Sequence, residues 1–431
     1  MIATNIGKTF LQAYNEKYGS NYTAKKFFIE KFFSLFFNHE KYMQWVTNSP
    51  FVQGLKKGVY PTLEERKQKL EILVKNIANN KADSSIAIGY PSLDLTASTS
   101  GQVSNMSLPI DQEDVYLSWI GGGFGIGIKS GLSILFNQKQ ILLDIYQGWE
   151  IYRDYLNTMP KLRGNQINTW NGQWVAHRYN MRTYDSLNPA ASFNPFTPNS
   201  DGGIEIATQN WANVLIGIAR YYPDTLLTGY VYSLGQTNIT VGFIPFHLPK
   251  IRAPYELYQK YFGTSDKEKV EQFFGTEIGF TKSCQAGSIG INALEPKGFR
   301  DCFDKGNIPR YVEDDETKRI NFNIYQIWLL AMLNNEDLWE KAKQFAEILH
   351  THTMSDKNAK KTKSQEVDNL LKTVKKQTFM EELIAVSKSS SEILPFEEIG
   401  YLVNSMPIDN VPYFLTLLRF QYVIISKKLN N

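Results

Sequence analysis

At 431 residues, with 42% hydrophobic and 21% charged residues, the chain is globular and long enough for two or three domains with separate cores. Its net charge is +3, which excludes an overall polycation, so any surface for nucleic acid has to be local. Two cysteines, Cys284 and Cys302, could pair, but a chain of this size does not need a disulfide and neither stands in a CxxC metal pattern; a reduced, cytoplasmic protein is expected. The N-terminus lacks the apolar core of a signal peptide, and no window approaches roughly eighteen uncharged apolar residues, so no membrane span is expected.

Residues 1–58 read as helical and very aromatic. The run AKKFFIEKFFSLFF sets Phe27, Phe28, Phe32, Phe33, Phe36 and Phe37 around a helix, too many for one narrow stripe. A buried helix is expected, with an exposed docking face as the alternative. The following segment ends in a turn signal at Asn48-Ser49-Pro50. A cleaner helix over about 62–78 opens on a capping box, Thr62 with Glu65, and keeps Leu63, Leu70, Leu73, Val74 and Ile77 on one face. Residues 83–110 lose that period, and Ser98, Thr99, Ser100, Gly101 and Gln102 read as an exposed polar loop.

The segment 115–136, VYLSWIGGGFGIGIKSGLSILF, reads as two strands joined by glycines. Gly121, Gly122, Gly123, Gly125 and Gly127 match neither GxxxxGK[ST] nor a strand-to-helix GxGxxG, so a nucleotide-binding loop is not expected. A tight hairpin is one reading. A loop that lets a DNA strand come close to the backbone, through Gly121, Gly122, Gly123 and Gly125, is the other. An amphipathic helix over 138–157 follows, with Leu142, Ile145, Tyr146, Trp149, Tyr152 and Leu156 facing inward.

The most distinctive stretch is 161–184, KLRGNQINTWNGQWVAHRYNMRTY, which contains no Asp or Glu. Lys161, Arg163, Arg178 and Arg182 stand among Trp170, Trp174, Tyr179 and Tyr184, with Asn165, Gln166, Asn168, Asn171 and Gln173 between them. Cations for phosphates, rings for bases and amides for hydrogen bonding are what a nucleic-acid surface needs together. The alternative is a loop whose tryptophans fill the core and whose amides bind its own backbone.

Residues 188–203 read as irregular, and 204–221 as a helix bearing Trp211, Val214, Leu215 and Ile218. The segment 229–247 reads as a strand pair around Gly235-Gln236. Helices are expected at about 254–262 and 265–274; residues 276–312 give no assignment. From about 320 onward strand signals vanish and four amphipathic helices are expected, making a bundle. The first carries Ile324, Ile327, Trp328 and Ala331, and the second Leu338, Ala342, Phe345 and Leu349. The third carries Val367, Leu370, Leu371 and Val374, continuing through Phe379 and Leu383. The fourth opens at Pro412 with Phe414, Leu417, Leu418, Tyr422 and Ile425. The link between the second and third, 357–376, holds seven lysines against Glu366 and Asp368: a solvated face, or one that tracks phosphates. The expected fold class is therefore α+β, with small antiparallel sheets and helices in a mixed N-terminal region followed by a C-terminal four-helix bundle. The parts are 1–112, 113–318 and 319–431.

No catalytic grouping stands out. His39, His177 and His247 are isolated, and His350 and His352 point apart on a helix, so no metal site is expected. Glu295-Pro296-Lys297 has the tripeptide form of a magnesium-dependent nuclease, but Pro296 cannot donate to a central strand ladder and the residues just upstream offer no carboxylate on a strand.

The order of parts, together with FMEELIAVSK (379–388), VNSMPIDNVPYFLTLLRFQY (403–422) and the GYVYSLGQTNITVGFIPF stretch, resembles the large subunit of type I CRISPR effector complexes (Cascade), of an I-B-like subtype. The resemblance implies a non-catalytic, cofactor-free role in RNA-guided DNA surveillance. Its partners would be double-stranded target DNA, the displaced single strand, guide RNA, other Cascade subunits and a recruited helicase–nuclease. In that role Asn165, Gln166, Asn168, Asn171 and Gln173 would read base edges of the protospacer-adjacent motif. Lys161, Arg163, Arg178 and Arg182 would hold phosphates. Lys360, Lys361, Lys363, Lys372, Lys375 and Lys376 would guide the displaced strand. The main alternative is a magnesium-dependent DNA endonuclease of restriction type, and a second is an interaction scaffold without nucleic acid.

Overall fold

The computed structural model describes residues 1–44, 50–51, 61–79, 87–88, 90, 111–180, 182–222, 225–233, 239–263, 280–306, 308–356 and 358–430. The chain divides into two compact units, Met1–Leu248 with Phe280–Ser288, and Pro249–Gly279 with Ile289–Asn431. The protein is mixed α/β, with small antiparallel sheets and a C-terminal region of several helices.

In the first unit, helix α1 (Ile2–Tyr18) ends on Gly19 at φ +59°, a left-handed position suited to glycine. Helix α2 covers residues 24–36, opens on Thr23 and makes a π-helical turn over Phe28–Phe32. The six phenylalanines of this run are buried, which removes the docking-face alternative. Their rings pack on one another and on Trp149 and Trp119, with Phe32 and Phe36 stacked at 4.1 Å. Helix α3 (Leu63–Asn79) opens on the expected capping box: Thr62 N donates to Glu65 Oε2 at 2.6 Å, and Glu65 N to Thr62 Oγ1 at 3.2 Å. Asn48, Ser49 and the polar loop 98–102 lie outside the described residues.

The segment read as a first strand is helix α4 (Gln112–Gly122), started by Asp111, whose carboxylate accepts from Glu113 N. Helix α1 crosses this helix backbone against backbone. A β-carbon on Gly121 would stand 1.8 Å from Ala3 O, and one on Gly7 2.1 Å from Leu117 O. Strands β1 (Ile126–Ile128) and β2 (Leu132–Phe136) follow, joined through Ser130 and Gly131, both at positive φ. Helix α5 (Lys139–Thr158) buries the face expected of it.

Helix α6 (Ile167–Arg178) comes next, then a hairpin of β3 (Phe196–Pro198) and β4 (Ile204–Ile206) inside the stretch read as irregular and helical. Helix α7 (Trp211–Tyr221) starts later than expected, where the Asn210 side chain accepts from Ala212 N. Strands β5 (Leu226–Ser233) and β6 (Ile239–His247) pair antiparallel with Tyr230 opposite Phe243, completing a sheet ordered β1-β2-β5-β6. Gly235 and Gln236 lie outside the described residues.

Helix α8 (Leu248–Phe262) leads into the second unit, and the helix expected at 265–274 lies outside the described residues. Helix α9 (Phe280–Gln285) belongs to the first unit, where Phe280 packs on Trp211 at 5.3 Å. Helix α10 (Phe299–Lys305) precedes the C-terminal region.

Among its described residues that region holds six helices where four are expected. They are α11 (Glu316–Leu333), α12 (Asp337–Met354), α13 (Lys360–Lys372), α14 (Lys376–Lys388), α15 (Leu394–Ser405) and α16 (Val411–Asn430). The expected third helix breaks at Thr373, whose backbone is extended, and α15 is opened by a proline in its first turn. Among the described residues no helix is long and apolar enough to cross a membrane.

Candidate nucleic-acid interface

The amide-rich stretch 161–184 is mostly core. Helix α6 packs so tightly on β1 that a β-carbon on Gly172 would stand 2.0 Å from Gly127 O. Trp170, Trp174 and Tyr179 are fully buried, and each tryptophan donates its indole N–H to a carbonyl of α5: Trp170 to Gly148 O at 2.9 Å, Trp174 to Asp144 O at 2.7 Å.

Four of the five amides bind groups within the protein, which corrects their reading as base-edge readers. Asn171 is buried; its Nδ2 donates to Gly123 O at 2.8 Å and Gly125 O at 3.0 Å, while its Oδ1 accepts from Trp149 Nε1. Asn168 donates to Ser133 Oγ, Gln173 to Ala207 O, and Gln166 Oε1 accepts from Ile206 N. Each satisfies a polar group that would otherwise be left unpaired. Asn165 differs: it is exposed, at φ +60°, and its own N donates to Tyr42 O.

The cations of the stretch divide in the same way. Arg178 Nη2 lies 3.2 Å from Asp144 Oδ1, and its guanidinium stacks 4.5 Å from the Tyr184 ring. Burial pulls the Arg178 pKa down, but Asp144 together with the hydroxyls of Tyr221 and Tyr184 outweighs it and the pKa is raised. This arginine is spent on a buried carboxylate, which corrects its assignment to phosphate. Arg163 is mostly exposed, 3.7 Å from Glu205, and Lys161 and Arg182 are also exposed.

Gly121, Gly122, Gly123 and Gly125 are buried, which corrects the idea of a loop open to DNA. What comes close to them is the protein itself: Ala3 at Gly121, the Ile88 side chain at Gly122, the Trp149 ring at Gly123 and the Tyr232 hydroxyl at Gly125.

The lysine-rich segment keeps its surface. Residues 360–372 form α13, with Val367 and Leu370 buried and Lys360, Lys361 and Lys372 exposed; Lys375 is exposed just beyond. None of these four has an ion pair among the described residues. The first turn of α13 carries no acidic residue, so Lys360, Lys361 and Lys363 stand at the positive end of the helix dipole, where cations are disfavoured. Lys363 Nζ donates to Ser355 Oγ at 2.8 Å. Lys376 is a correction: its Nζ donates to Asn404 O and Met406 O, both at 2.8 Å, capping the end of α15.

Groups that could do chemistry are engaged elsewhere. The Glu295 carboxylate is buried and gripped by Arg300, with Nε and Nη2 each 2.7 Å from Oε2. His350 and His352 are buried, and burial lowers the pKa of both. His352 Nε2 stands 3.3 Å from Ser389 Oγ, whose hydroxyl donates to Glu366 at 2.6 Å rather than to the imidazole. Burial raises the Cys284 and Cys302 thiols to about 11, away from the reactive thiolate. Among the described residues no three His, Cys, Asp or Glu side chains gather as metal ligands would. No protein-family model, curated protein or solved structure matches this chain.

Proposed function

We propose that the chain is the non-catalytic large subunit of an RNA-guided DNA-surveillance complex, similar to that of I-B-like Cascade, and that it works in the cytoplasm. In this reading it recognises the protospacer-adjacent motif, holds the displaced strand and recruits a separate helicase–nuclease. Its contact with single strands lies on the second unit, at Lys360, Lys361, Lys372 and Lys375. Duplex contact falls to the exposed Lys161, Arg163, Asn165 and Arg182 of the first unit.

The observation that carries this reading is the first turn of α13. Cations there oppose the helix dipole, and Lys360 and Lys361 have no ion-pair partner among the described residues, so the arrangement does nothing for the stability of the helix. An exposed helix N-terminus carrying lysines is instead suited to an anion such as phosphate.

Labelled single-stranded and duplex DNA titrated with the purified chain at about 50 and about 200 mM salt provides the test. Binding should weaken steeply with salt. Reversing Lys360 and Lys361 to Glu should remove most single-strand affinity without lowering the melting temperature, since acids favour a helix N-terminus. Cleavage of plasmid by the chain with magnesium would transfer the protein to the endonuclease reading. Absence of any salt-dependent binding would leave the scaffold reading.

A further inference from the structure

The second unit contains a cleft of about 840 Å³ between α8, α11, α12 and α16. Its size falls within the roughly 300–1,000 Å³ of small-molecule sites. Three kinds of group line it. Tyr261 and Tyr311 offer half-buried rings, with Tyr261 backed by Trp339 at 4.5 Å. Gln421, buried, supplies an amide, and its Nε2 donates to Gln326 Oε1 at 2.9 Å. Behind it, Gln326 Nε2 is sealed from solvent and has no acceptor. Arg319, Lys343 and Lys428 supply cations, and Glu316 and Glu347 carboxylates. Lys343 and Lys428 have no ion pair among the described residues, so a phosphodiester can sit beside them.

Rings, a buried amide and lysines without ion pairs are together unsuited to an aliphatic ligand, which needs no amide. They are equally unsuited to a bare sugar phosphate, which needs no rings. They suit a heteroaromatic base that carries a phosphate.

We propose that this cleft receives one unpaired nucleotide of a bound single strand, with its base between Tyr261 and Tyr311, its edge toward Gln421 and its phosphate at Lys343. The assignment rests on the single-strand reading of the protein and adds to it a site that takes a base rather than the backbone alone. The lysines of α13 do not discriminate a base from its absence, whereas this cleft does.

The test uses the full chain and two fluorescein-labelled strands of equal length, one of thymidines and one abasic. Fluorescence anisotropy should show the thymidine strand bound about tenfold more tightly. Tyr261→Ala should reduce that preference to under about threefold while leaving abasic affinity unchanged, since stacking is what it removes. Lys343→Glu should weaken both strands alike. Because Tyr261→Ala also loosens α8 against Trp339, the unaltered protein gives a second readout. A single 2-aminopurine in the thymidine strand should lose fluorescence on binding as its ring stacks. Equal affinity for the two strands, or unquenched 2-aminopurine, overturns the cleft assignment while leaving the α13 test intact. Failure of both strands to bind overturns the cleft and the single-strand reading together.

Discussion

Arg178 Nη2 stands 3.2 Å from Asp144 Oδ1, and the Tyr179 hydroxyl donates to the other oxygen of the same carboxylate at 2.9 Å. Asp144 is buried on α5, so the arginine answers a charge that water does not reach. Arg178→Ala should therefore destabilise the first unit by about 2 kcal/mol, the remaining hydrogen bonds to Asp144 limiting the loss. Urea unfolding checks this, and DNA affinity of the folded variant should be unchanged. A variant of full stability that has lost DNA binding would return this guanidinium to a phosphate contact.

The contact between α6 and β1 gives a second expectation. A β-carbon on Gly172 meets Gly127 O at 2.0 Å, and rigid backbone on both sides cannot yield, so Gly172→Ala should cost about 3 kcal/mol or more. Gly131, at φ +73°, has open space where a β-carbon would go. Its replacement by Ala meets only backbone strain and should cost about 1 kcal/mol. Melting temperatures of the two variants, compared side by side, decide whether steric contact rather than glycine flexibility orders the pair.

Two lysines only fifteen positions apart should behave in opposite ways. Lys376→Ala removes donors to two carbonyls at the end of α15 and should cost about 1 kcal/mol, with binding unaffected. Lys361→Ala, on an exposed side chain, should leave stability unchanged. It should reduce the slope of log affinity against log salt for single strands by about 0.7. Salt titration and thermal melting of both variants separate capping from strand contact.

Acid should weaken the fold before the carboxylates protonate. Burial, reinforced by Arg153, holds the His39 pKa down to about 4 from 6.5, and burial also lowers those of His177, His350 and His352. Between those values the unfolded chain binds more protons than the folded one, so stability is complete above about pH 6.5 and falls as pH drops. Melting temperature measured from pH 7 to pH 4 should decline, and His39→Gln should flatten the curve. An unchanged curve in the variant would mean that His39 takes no part.

Elements governed by near neighbours were legible in the chain itself. Thr62 and Glu65 cap α3 as their spacing requires, α5 buries Leu142, Ile145, Tyr146, Trp149, Tyr152 and Leu156, and β5 pairs with β6 within the stretch read as a strand pair. Composition and charge patterning identified the lysine-rich surface, although not that Lys376 turns back to cap a helix. The glycines of 121–125 misled because the sequence states only that a backbone comes close, not whose. It is α1 that meets Gly121, from more than a hundred residues away.

Sequence alone determined the periods of α3 and α5, the Thr62–Glu65 cap and the mixed class, since each depends on residues a few positions apart. Tertiary structure decided which polar groups remain for a partner. Asn171 looks the same in sequence whether it faces water or the carbonyls of Gly123 and Gly125, which lie 48 and 46 positions upstream. The cleft beside Tyr261 is likewise assembled from helices that only folding brings together. A hydrogen-bonding side chain takes its role from whatever distant backbone stands opposite it, and that is set by packing.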